Sequence, residues 1–440
     1  MKIAVIGSGI AGLSAAFYLA RRHEVVLFEQ DDRVGGHTHT IEVPTASGVQ
    51  AVDTGWIVYN GINYPNLTAL FGELGVRTRP TSMSFGVSLN HGAYEWKGSD
   101  NLLTVFAQPA NLLRAGHLRL LTEILRLNRV CNRLLKLDTL PGGSLGDFLR
   151  DADFSAELQA RYLLPMAGLI WSCSPRQAME YPAADFMRFF DAHSLFTATQ
   201  QPTWHTVIGG SHTYVRALLE RYSGTARLRT PVARIARSDA GIEVTTDVGS
   251  ERYDRVVCAT HSDQALRLIA DPATAEREVL EGIPYNASRV VLHTDERYLP
   301  RRRRAWASWN YINDTAFGAD VSGYRGVDFD REVHDRPISG SYWMNLLQGI
   351  DGPVNYVVTL NPTREISGDR IVYDTVYHHP HYGPGSVRTH RRLAGIQGNG
   401  GLWWAGAWTG YGFHEDGLLS GLRCIAGIDR ECLPSWATGL

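Results

Sequence analysis

The sequence of 440 residues predicts an α/β protein, and three observations carry this prediction. The chain opens on an apolar strand at residues 3–6, followed by closely spaced glycines, a helix and a second strand. Residues 285–377 alternate in polarity as antiparallel strands do, and the chain closes on a strand, a glycine-rich loop and a helix. We therefore expect a parallel-sheet domain built from separated segments and interleaved with an α+β domain of antiparallel sheet and helices.

The opening unit has the spacing of a dinucleotide-binding turn. Gly7, Gly9 and Gly12 follow the pattern G-x-G-x-x-G and lead into an alanine-rich helix. The first glycine makes the turn, the second admits a pyrophosphate, and the third lets the helix pack on the strand. Glu29 ends the second strand, where its carboxylate would accept a hydrogen bond from a ribose hydroxyl. An ordinary glycine turn is the alternative, but the full pattern predicts a Rossmann-type domain.

Composition is that of a globular protein, with 44% hydrophobic and 20% charged residues, and the length suggests two domains. The net charge of −2 argues against a nucleic-acid partner. Five cysteines without a C-x-x-C pair indicate reduced core thiols and no metal site, as in a cytoplasmic protein. Neither a signal peptide nor an apolar run of transmembrane length is expected.

Domain limits follow from the order of these elements. We predict that the dinucleotide-binding domain comprises residues 1–60, 205–265 and 395–440. The substrate-binding domain would then comprise residues 61–204 and 266–394, with a helical part at 100–200. Within these limits, a long leucine-rich helix is expected at residues 111–137.

Five separated stretches resemble the FAD-dependent amine oxidase and phytoene desaturase superfamily, over nearly the whole chain. RVGGHTHT and DTGW are similar to its second glycine signature and to the turn beside the flavin ring. TPVARI is similar to the strand whose valine backbone, here Val232, binds adenine, and VVCATH to a strand returning to the dinucleotide domain. WAGAWTGYGFHEDGLLSGLR is similar to the closing motif, whose helix, expected to start near Gly417, points its N-terminus at the flavin. The resemblance implies non-covalently bound FAD.

These motifs give the predicted cofactor contacts in three groups. The first turn and the second strand contribute Gly7, Ser8, Gly9, Ala11, Gly12, Glu29 and Gln30. The second glycine signature and the following turn contribute Arg33, Gly35, Gly36, His37, Thr38, Thr54, Gly55 and Trp56. The later segments contribute Val232, Thr260, Gly406, Ala407, Asp416, Gly417 and Leu418.

Three departures from the superfamily pattern bear on the reaction. His37 replaces the usual arginine after the glycine pair, and Ala407 replaces the usual acid after the closing Ala-Gly. No lysine follows residue 136, so the substrate-half lysine of amine oxidases has no evident counterpart. Its absence favours carbon–carbon desaturation or isomerisation over amine oxidation.

Further stretches, among them LPMAGLIWSCSP and GYGFHEDG, resemble a bacterial subgroup that includes a methylene-branched fatty-acyl desaturase of furan fatty acid synthesis. We therefore predict an oxidoreductase that desaturates a lipid or methylene-branched fatty acyl chain by hydride transfer to flavin N5. Two alternatives stay open: an amine or amino-acid oxidase, and a flavoprotein partner of a lipid-modifying enzyme without its own turnover. Neither the electron acceptor, oxygen or another, nor the oligomeric state follows from the sequence.

Such a reaction needs a proton acceptor, and the closing loop offers two candidates, His414 and Glu415. An imidazole of ordinary pKa near 6.5 suits neutral pH, whereas Glu415 would need burial to raise its pKa. Alternatively, Glu415 and Asp416 cap the last helix. His37 and His39 are expected to contact the flavin rather than to act as bases.

A basic surface would give access to lipid. The helix at 111–137 is rich in arginine, and a second run of arginines at 301–304 stands beside Trp306. Arginine with tryptophan suits an anionic membrane surface, so a peripheral contact with the inner face of the cell membrane is expected. The alternative is a solvated helix face and a charged turn. Three tryptophans are expected either to line an apolar tunnel or to pack in the core: Trp56, Trp171 and Trp408.

Overall fold

The computed structural model describes residues 1–46, 48–98, 102–196, 202–313 and 338–440. Within these ranges the strands form five sheets. The strands are β1 (Lys2–Ile6), β2 (Glu24–Phe28), β3 (Thr40–Thr45), β4 (Gly48–Asp53), β5 (Val58–Asn60), β6 (Thr78–Thr81), β7 (Phe85–Leu89), β8 (Tyr94–Gly98), β9 (Trp204–Val207), β10 (Thr225–Arg227), β11 (Val232–Ser238), β12 (Gly241–Thr246), β13 (Gly249–Tyr253), β14 (Arg255–Cys258), β15 (Tyr285–His293), β16 (Trp309–Asn313), β17 (Gly340–Trp343), β18 (Val357–Leu360), β19 (Ile371–Pro380) and β20 (Leu402–Trp404). The helices are α1 (Ile10–Leu19), α2 (Pro65–Leu74), α3 (Leu102–Val105), α4 (Ala115–Lys136), α5 (Leu145–Asp151), α6 (Ala156–Leu158), α7 (Leu164–Trp171), α8 (Pro175–Glu180), α9 (Ala183–Ala192), α10 (His212–Arg221), α11 (Ser262–Leu268), α12 (Thr274–Leu280), α13 (Met344–Gln348), α14 (Pro384–Leu393) and α15 (His414–Ile428).

A five-stranded parallel sheet confirms the α/β prediction. Its order is β10-β2-β1-β14-β20, and β1 pairs in parallel with both β2 and β14. Its strands come from distant parts of the chain, and those at its centre are apolar and buried, as in a sheet covered on both faces. The domain limits stay a prediction, and the limit at residue 204 falls inside β9.

The second large sheet has seven strands in the order β19-β15-β18-β17-β16-β7-β8. Its neighbouring strands are antiparallel except for β16 and β7, which pair in parallel. β7 and β8 come from an early segment, so this sheet joins two parts of the chain. Residues 314–337, which belong to the region that we expected to form antiparallel strands, lie outside the described residues.

The leucine-rich helix α4 begins four residues later than predicted. Residues Pro109–Leu113 form a separate 3-10 turn, and Arg114 between the two is extended (φ −85°, ψ 106°). The Arg114 guanidinium donates to the carbonyl oxygen of Ala93 at 3.0 Å, which anchors the start of α4 to the turn between β7 and β8. One face of α4 buries Leu120 and Leu127, while the opposite face is exposed.

The last helix, α15, begins at His414, three residues before the predicted start at Gly417. Asp416 explains the earlier start, because its carboxylate accepts hydrogen bonds from the backbone N–H groups of Tyr411 (3.0 Å) and Phe413 (2.9 Å). These bonds satisfy donors that a helix N-terminus otherwise leaves unpaired. The predicted cap by Asp416 is therefore present, and the predicted catalytic loop is the first turn of a helix.

The glycines of α15 serve helix packing. A Cβ atom at Gly417 would lie 2.8 Å from Cγ2 of Ile10, and one at Gly421 would lie 2.5 Å from the carbonyl oxygen of Ala11. Both distances are shorter than real Cβ contacts, so α15 approaches α1 as closely as only glycine allows. The two helices run side by side in the same direction, and their N-termini lie at the same end of the parallel sheet.

Candidate functional site

The glycine turn between β1 and α1 forms an open cradle. Gly7 has φ +97°, and a Cβ atom there would lie 2.7 Å from the carbonyl oxygen of Ala259. At Gly12 it would lie 1.9 Å from the carbonyl oxygen of Gly7. At Gly9 it would meet no atom within 4 Å, so this glycine faces open space. Gly7 and Gly12 thus shape the turn, and Gly9 leaves room for a ligand.

Unpaired donors face the same space. The first bond within α1 runs from the N–H of Leu13 to the carbonyl oxygen of Gly9 (2.8 Å), so the N–H groups of residues 10–12 have no partner inside the helix. Together with the helix dipole they favour an anion such as a pyrophosphate.

Glu29 stands at the carboxyl end of β2, beside this cradle. Its carboxylate accepts hydrogen bonds from the backbone N–H groups of Ser8 and Asp31, both at 3.0 Å, and from the Ser8 hydroxyl. Carboxylate oxygens can accept further bonds, so Glu29 still has capacity for the ribose hydroxyl of the sequence prediction. Its bonds to Ser8 also fix the distance between β2 and the glycine turn.

The cradle opens into a cavity of about 2260 Å³, more than twice the upper end of the usual range of roughly 300–1,000 Å³ for small-molecule pockets. Most of the predicted cofactor contacts line it: Gly7, Ser8, Gly9, Ala11, Glu29, Gln30, Arg33, Gly35, Gly36, His37, Thr54, Gly55, Trp56, Val232, Thr260, Gly406, Ala407 and Gly417. The size and shape of the cavity leave room for a dinucleotide and a second molecule.

Four predicted contacts lie behind the cavity wall instead. Gly12 faces Gly7, and the Thr38 hydroxyl lies 2.6 Å from the Tyr214 hydroxyl in a hydrogen bond. The other two are Asp416, which caps α15, and Leu418, which is fully buried in the core. These four residues support the wall, and their direct contact with the cofactor stays a prediction.

His414 lines the cavity in the first turn of α15. Its ring stacks on Trp56 with centroids 4.4 Å apart, and its Nε2 lies 2.8 Å from the hydroxyl oxygen of Tyr214. Burial lowers the pKa of His414 from its usual 6.5 to about 3. Because the imidazole is desolvated, it does not keep the ordinary pKa near 6.5, and His414 is neutral at neutral pH.

Glu415, the second predicted catalytic residue, binds the start of α2. Its two carboxylate oxygens accept the backbone N–H groups of Asn66 and Leu67, both at 2.9 Å, and the Asn66 side-chain amide at 2.8 Å. It does not line the cavity. The Glu415 carboxylate therefore caps α2, and its catalytic role stays a prediction.

A wall of histidines and tyrosines was not predicted. The His37 ring lies 5.0 Å from that of Tyr377 and 5.4 Å from that of His379, both on β19, and 6.0 Å from that of His261. His261 in turn stacks on Tyr285 at 4.4 Å. Burial lowers the pKa of His37 well below its usual value, and that of His261 and His379 to about 4. The sequence showed that polar and apolar residues alternate along β19, but it did not show which face of the strand lines the cavity.

From this wall the cavity continues across the whole seven-stranded sheet. Each strand contributes lining side chains, and helices α4 and α7 cover the cavity from the other side. With neighbouring strands about 4.8 Å apart, six spacings give a length of roughly 29 Å. Its lining is mainly apolar and includes Phe85, Leu121, Ile124, Met166, Leu169, Ile170, Val290, Trp309, Tyr342 and Leu360. We call this part the apolar arm.

Lys97 on β8 lines the far end of the apolar arm. The β-sheet thus brings an early lysine to the cavity, which the sequence analysis did not place there. β8 and β19 form opposite edges of the sheet, so Lys97 stands far from the wall around His37. Of the predicted tunnel tryptophans, Trp56 and Trp408 line the cavity, whereas Trp171 stacks on Tyr181 in the core.

Comparison with known proteins identifies the family. The model of the family described as flavin containing amine oxidoreductase matches residues 10–324. The chain belongs to this family. FAD is therefore its cofactor, which agrees with the open cradle at Gly9 and the unpaired N–H groups of α1.

Three individual proteins illustrate how this chain compares with known sequences and solved structures. A Mycobacterium tuberculosis protein, provisionally named a flavin-containing monoamine oxidase (AofH), is 30% identical over 286 residues, which are 62% of this chain and 59% of that protein. A CLA-producing fatty acid isomerase from P. acnes has a TM-score of 0.67 at 15% identity, covering 97% of this chain and 98% of its own. A wild-type putrescine oxidase bound to putrescine has a TM-score of 0.68 at 15% identity, covering 97% and 99%. The two structures show the fold alone.

Two smaller findings concern metals and membranes. Among the described residues, His23, Asp429 and Cys432 come within 4.8 Å of one another, but Asp429 already pairs with His23 (3.0 Å) and Arg22 (3.3 Å). The neighbouring guanidinium disfavours a cation there.

No described helix combines the length and apolar character needed to cross a bilayer.

The buried histidines predict loss of stability in acid. Burial lowers the pKa of six histidines to about 4 and that of His414 to about 3, whereas unfolded imidazoles titrate near 6.5. The stability they contribute is complete above pH 6.5 and declines as the pH falls towards 4, since the unfolded chain then binds more protons. The six are His39, His117, His193, His261, His293 and His379.

Calorimetry of the holoprotein should therefore show Tm falling steeply between pH 6.5 and 4.5. Asp53 and Asp416, whose pKa burial raises to about 6, act in the opposite direction but are outnumbered. A Tm that stays constant over this range would contradict the burial of the neutral imidazoles.

Proposed function

We propose that this protein dehydrogenates the acyl chain of a lipid or fatty acid, and that FAD accepts the hydride. The observation that carries the proposal is the apolar arm, to which all seven strands of the sheet contribute. A bilayer core of about 30 Å holds two opposed acyl chains, so one chain needs roughly 15 Å. The arm, at roughly 29 Å, accommodates such a chain along its length.

The charges of the lining support an acyl substrate. Seven Asp, Glu, Lys or Arg residues line the cavity, and six of them lie around the dinucleotide cradle: Glu29, Asp31, Asp32, Arg33, Arg229 and Arg267. The seventh is Lys97, so no described carboxylate faces the apolar arm. A cationic amine finds no described carboxylate of opposite charge in the apolar arm, whereas an uncharged acyl chain needs none.

The two halves of the cavity would then have different roles, one in binding substrate and one in binding FAD. The apolar arm binds and orients the chain and excludes water. Gly7, Gly9, Glu29 and the first turns of α1 and α15 hold FAD, which when bound supplies the acceptor for the hydride. His414 is the proposed acceptor for the proton because it lines the cavity wall, whereas its lowered pKa makes it a weaker base than an ordinary histidine.

Anaerobic reduction of the bound flavin tests this proposal. Lipids with saturated and with methylene-branched acyl chains, presented in detergent, should bleach the flavin absorbance, and amines should not. Ile124→Trp should slow bleaching by lipid at least about tenfold, because overpacking a cavity costs 1–3 kcal/mol. Ile124→Leu keeps the volume and serves as its control. Bleaching by amines alone would overturn the proposal.

An amine or amino-acid oxidase is the second candidate, favoured by the family match and by the name of the M. tuberculosis relative. The same panel of lipids and amines decides between the two candidates. If the protein is an oxidase of this kind, an added amine would bleach the flavin and, in air, produce hydrogen peroxide. A flavin that no lipid and no amine reduces would instead favour the third candidate, a flavoprotein partner without its own turnover.

A further inference from the structure

Exposed leucines stand on α4 and on the turn before it. Leu113 is 92% exposed, and Leu112, Leu118 and Leu125 are between 44% and 55% exposed. Leu118 and Leu125 are seven residues apart on α4 and therefore share a face. Leu125 also lines the cavity, so the arm opens to the outside at this face. Single exposed leucines are common, but four within fourteen residues, one of which also lines the cavity, mark an interaction surface.

The same face of α4 is basic. Arg119, Arg129, Arg133 and Lys136 are exposed along it. The only acid between residues 111 and 137 is Glu123, which turns inward and accepts the backbone N–H of Ser155 at 2.9 Å. The exposed face of α4 therefore presents basic side chains and no acidic side chain of the helix beside the leucines.

A second basic segment lies on the same side of the molecule. Arg302 donates to the carbonyl oxygen of Gly92 at 2.8 Å, and Arg114 at the start of α4 donates to that of the adjacent Ala93 at 3.0 Å. The turn at residues 90–93 thus holds both segments next to each other. Arg302 itself pairs with Glu95 at 2.9 Å, while the neighbouring arginines at 301, 303 and 304 are exposed.

Trp306 does not take part, contrary to the expectation from the sequence. It is only 6% exposed, and its Nε1 donates to the carbonyl oxygen of Pro300 at 2.6 Å. The apolar component of the surface comes from the leucines instead, which the sequence analysis did not single out.

We propose that this leucine–arginine face, formed by residues 112–136 and 301–304, docks on an anionic phospholipid bilayer. The leucines would enter the acyl layer while the arginines contact lipid phosphates. Because the arm opens at this face, an acyl chain would pass from the bilayer into the cavity without crossing water. This route rests on the proposed acyl substrate, whereas the docking itself does not.

The positive charge of this face favours an anionic bilayer over a second copy of this chain as its partner. A dimer that is symmetric through this face would bring arginines against arginines, and no exposed acid of α4 would compensate them. An anionic bilayer offers both the opposite charge and an apolar layer. These are the two properties that this face combines.

Vesicle sedimentation of the FAD-loaded protein tests docking separately from chemistry. Vesicles of saturated phosphatidylcholine with an equal part of phosphatidylglycerol should bind the protein, pure phosphatidylcholine should not, and salt should weaken binding. The triple variant Arg119→Gln, Arg129→Gln, Arg133→Gln should bind on the order of 100-fold more weakly. The control changes net charge equally at exposed arginines elsewhere: Arg216→Gln, Arg277→Gln and Arg392→Gln.

A second pair of variants tests the apolar part. Leu113→Gln should weaken binding roughly tenfold or more, since a buried leucine contributes about 1.5–3 kcal/mol. Val248→Gln replaces a similarly exposed apolar residue (80%) on the β12–β13 hairpin and should have no effect. Both triple variants should still reduce their flavin with detergent-presented substrate if the proposed function holds.

Equal binding to neutral and anionic vesicles, or equal weakening by the two triple variants, would overturn the docking proposal. The proposal would also fail if the protein bound no vesicle but formed a dimer in solution that Leu113→Gln dissociates. Normal docking with a flavin that no lipid reduces would leave docking in place and overturn the acyl substrate.

Discussion

Gly9→Val is expected to yield a folded protein that no longer binds FAD. A Cβ atom at Gly9 meets no protein atom within 4 Å, and its backbone (φ −63°, ψ 176°) suits any residue. The added methyl groups would occupy the space that a pyrophosphate needs at the N-terminus of α1. We expect affinity to fall at least about 100-fold, as for overpacking by about 3 kcal/mol. Flavin absorbance of the purified protein and the circular dichroism spectrum measure the two properties.

Two other glycines provide controls. Gly72→Ala adds a methyl group that also meets no atom within 4 Å, but within α2, so FAD binding should be normal. At Gly12 a Cβ atom would clash with the carbonyl oxygen of Gly7 at 1.9 Å, so Gly12→Val should lose both fold and flavin. A Gly9→Val protein that is as yellow as the wild type would place the cofactor elsewhere.

His414→Ala and Glu415→Gln are expected to separate catalysis from stability, although the two residues are adjacent. His414 lines the cavity, and loss of a general base typically slows a reaction about 100- to 10,000-fold. The variant should keep its FAD and lose flavin reduction by lipid to that extent. Glu415→Gln removes the charged cap of α2 and should lower Tm, with little change in the rate per bound flavin.

The pH dependence adds a second test of His414. Its lowered pKa, about 3, means that the imidazole stays neutral as the pH falls from 8 to 5. Flavin reduction should therefore stay constant over that range. A rate that declines with a pKa near 6.5 would show that the base is a solvated histidine, and a normal rate in His414→Ala would remove the proton transfer from α15.

Local patterns predicted the parallel sheet and most of the cofactor cradle. The turn of Gly7, Gly9 and Gly12 depends on a short stretch of chain, whose geometry is set by φ values and by contacts between near neighbours. Glu29 was placed beside this turn for the same reason, because it directly follows the strand after α1. Such features are readable because spacing along the chain determines spacing in the fold.

Features that depend on distant contacts were not predicted. The glycines of α15 allow close packing against α1, which lies some four hundred residues earlier in the chain. Glu415 caps the start of α2. Lys97 reaches the cavity only because β8 pairs with β7 in a sheet that continues to β19. The length of the apolar arm likewise follows from the strand order, which the alternation of single strands does not reveal.

Mass analysis of the lipid recovered after a single anaerobic turnover tests the central claim most directly. The account predicts an acyl chain that has lost one pair of hydrogen atoms, in an amount equal to the flavin reduced, with wild-type protein and not with Gly9→Val. An unchanged acyl chain recovered beside fully reduced flavin, or the same product without bound FAD, would contradict it.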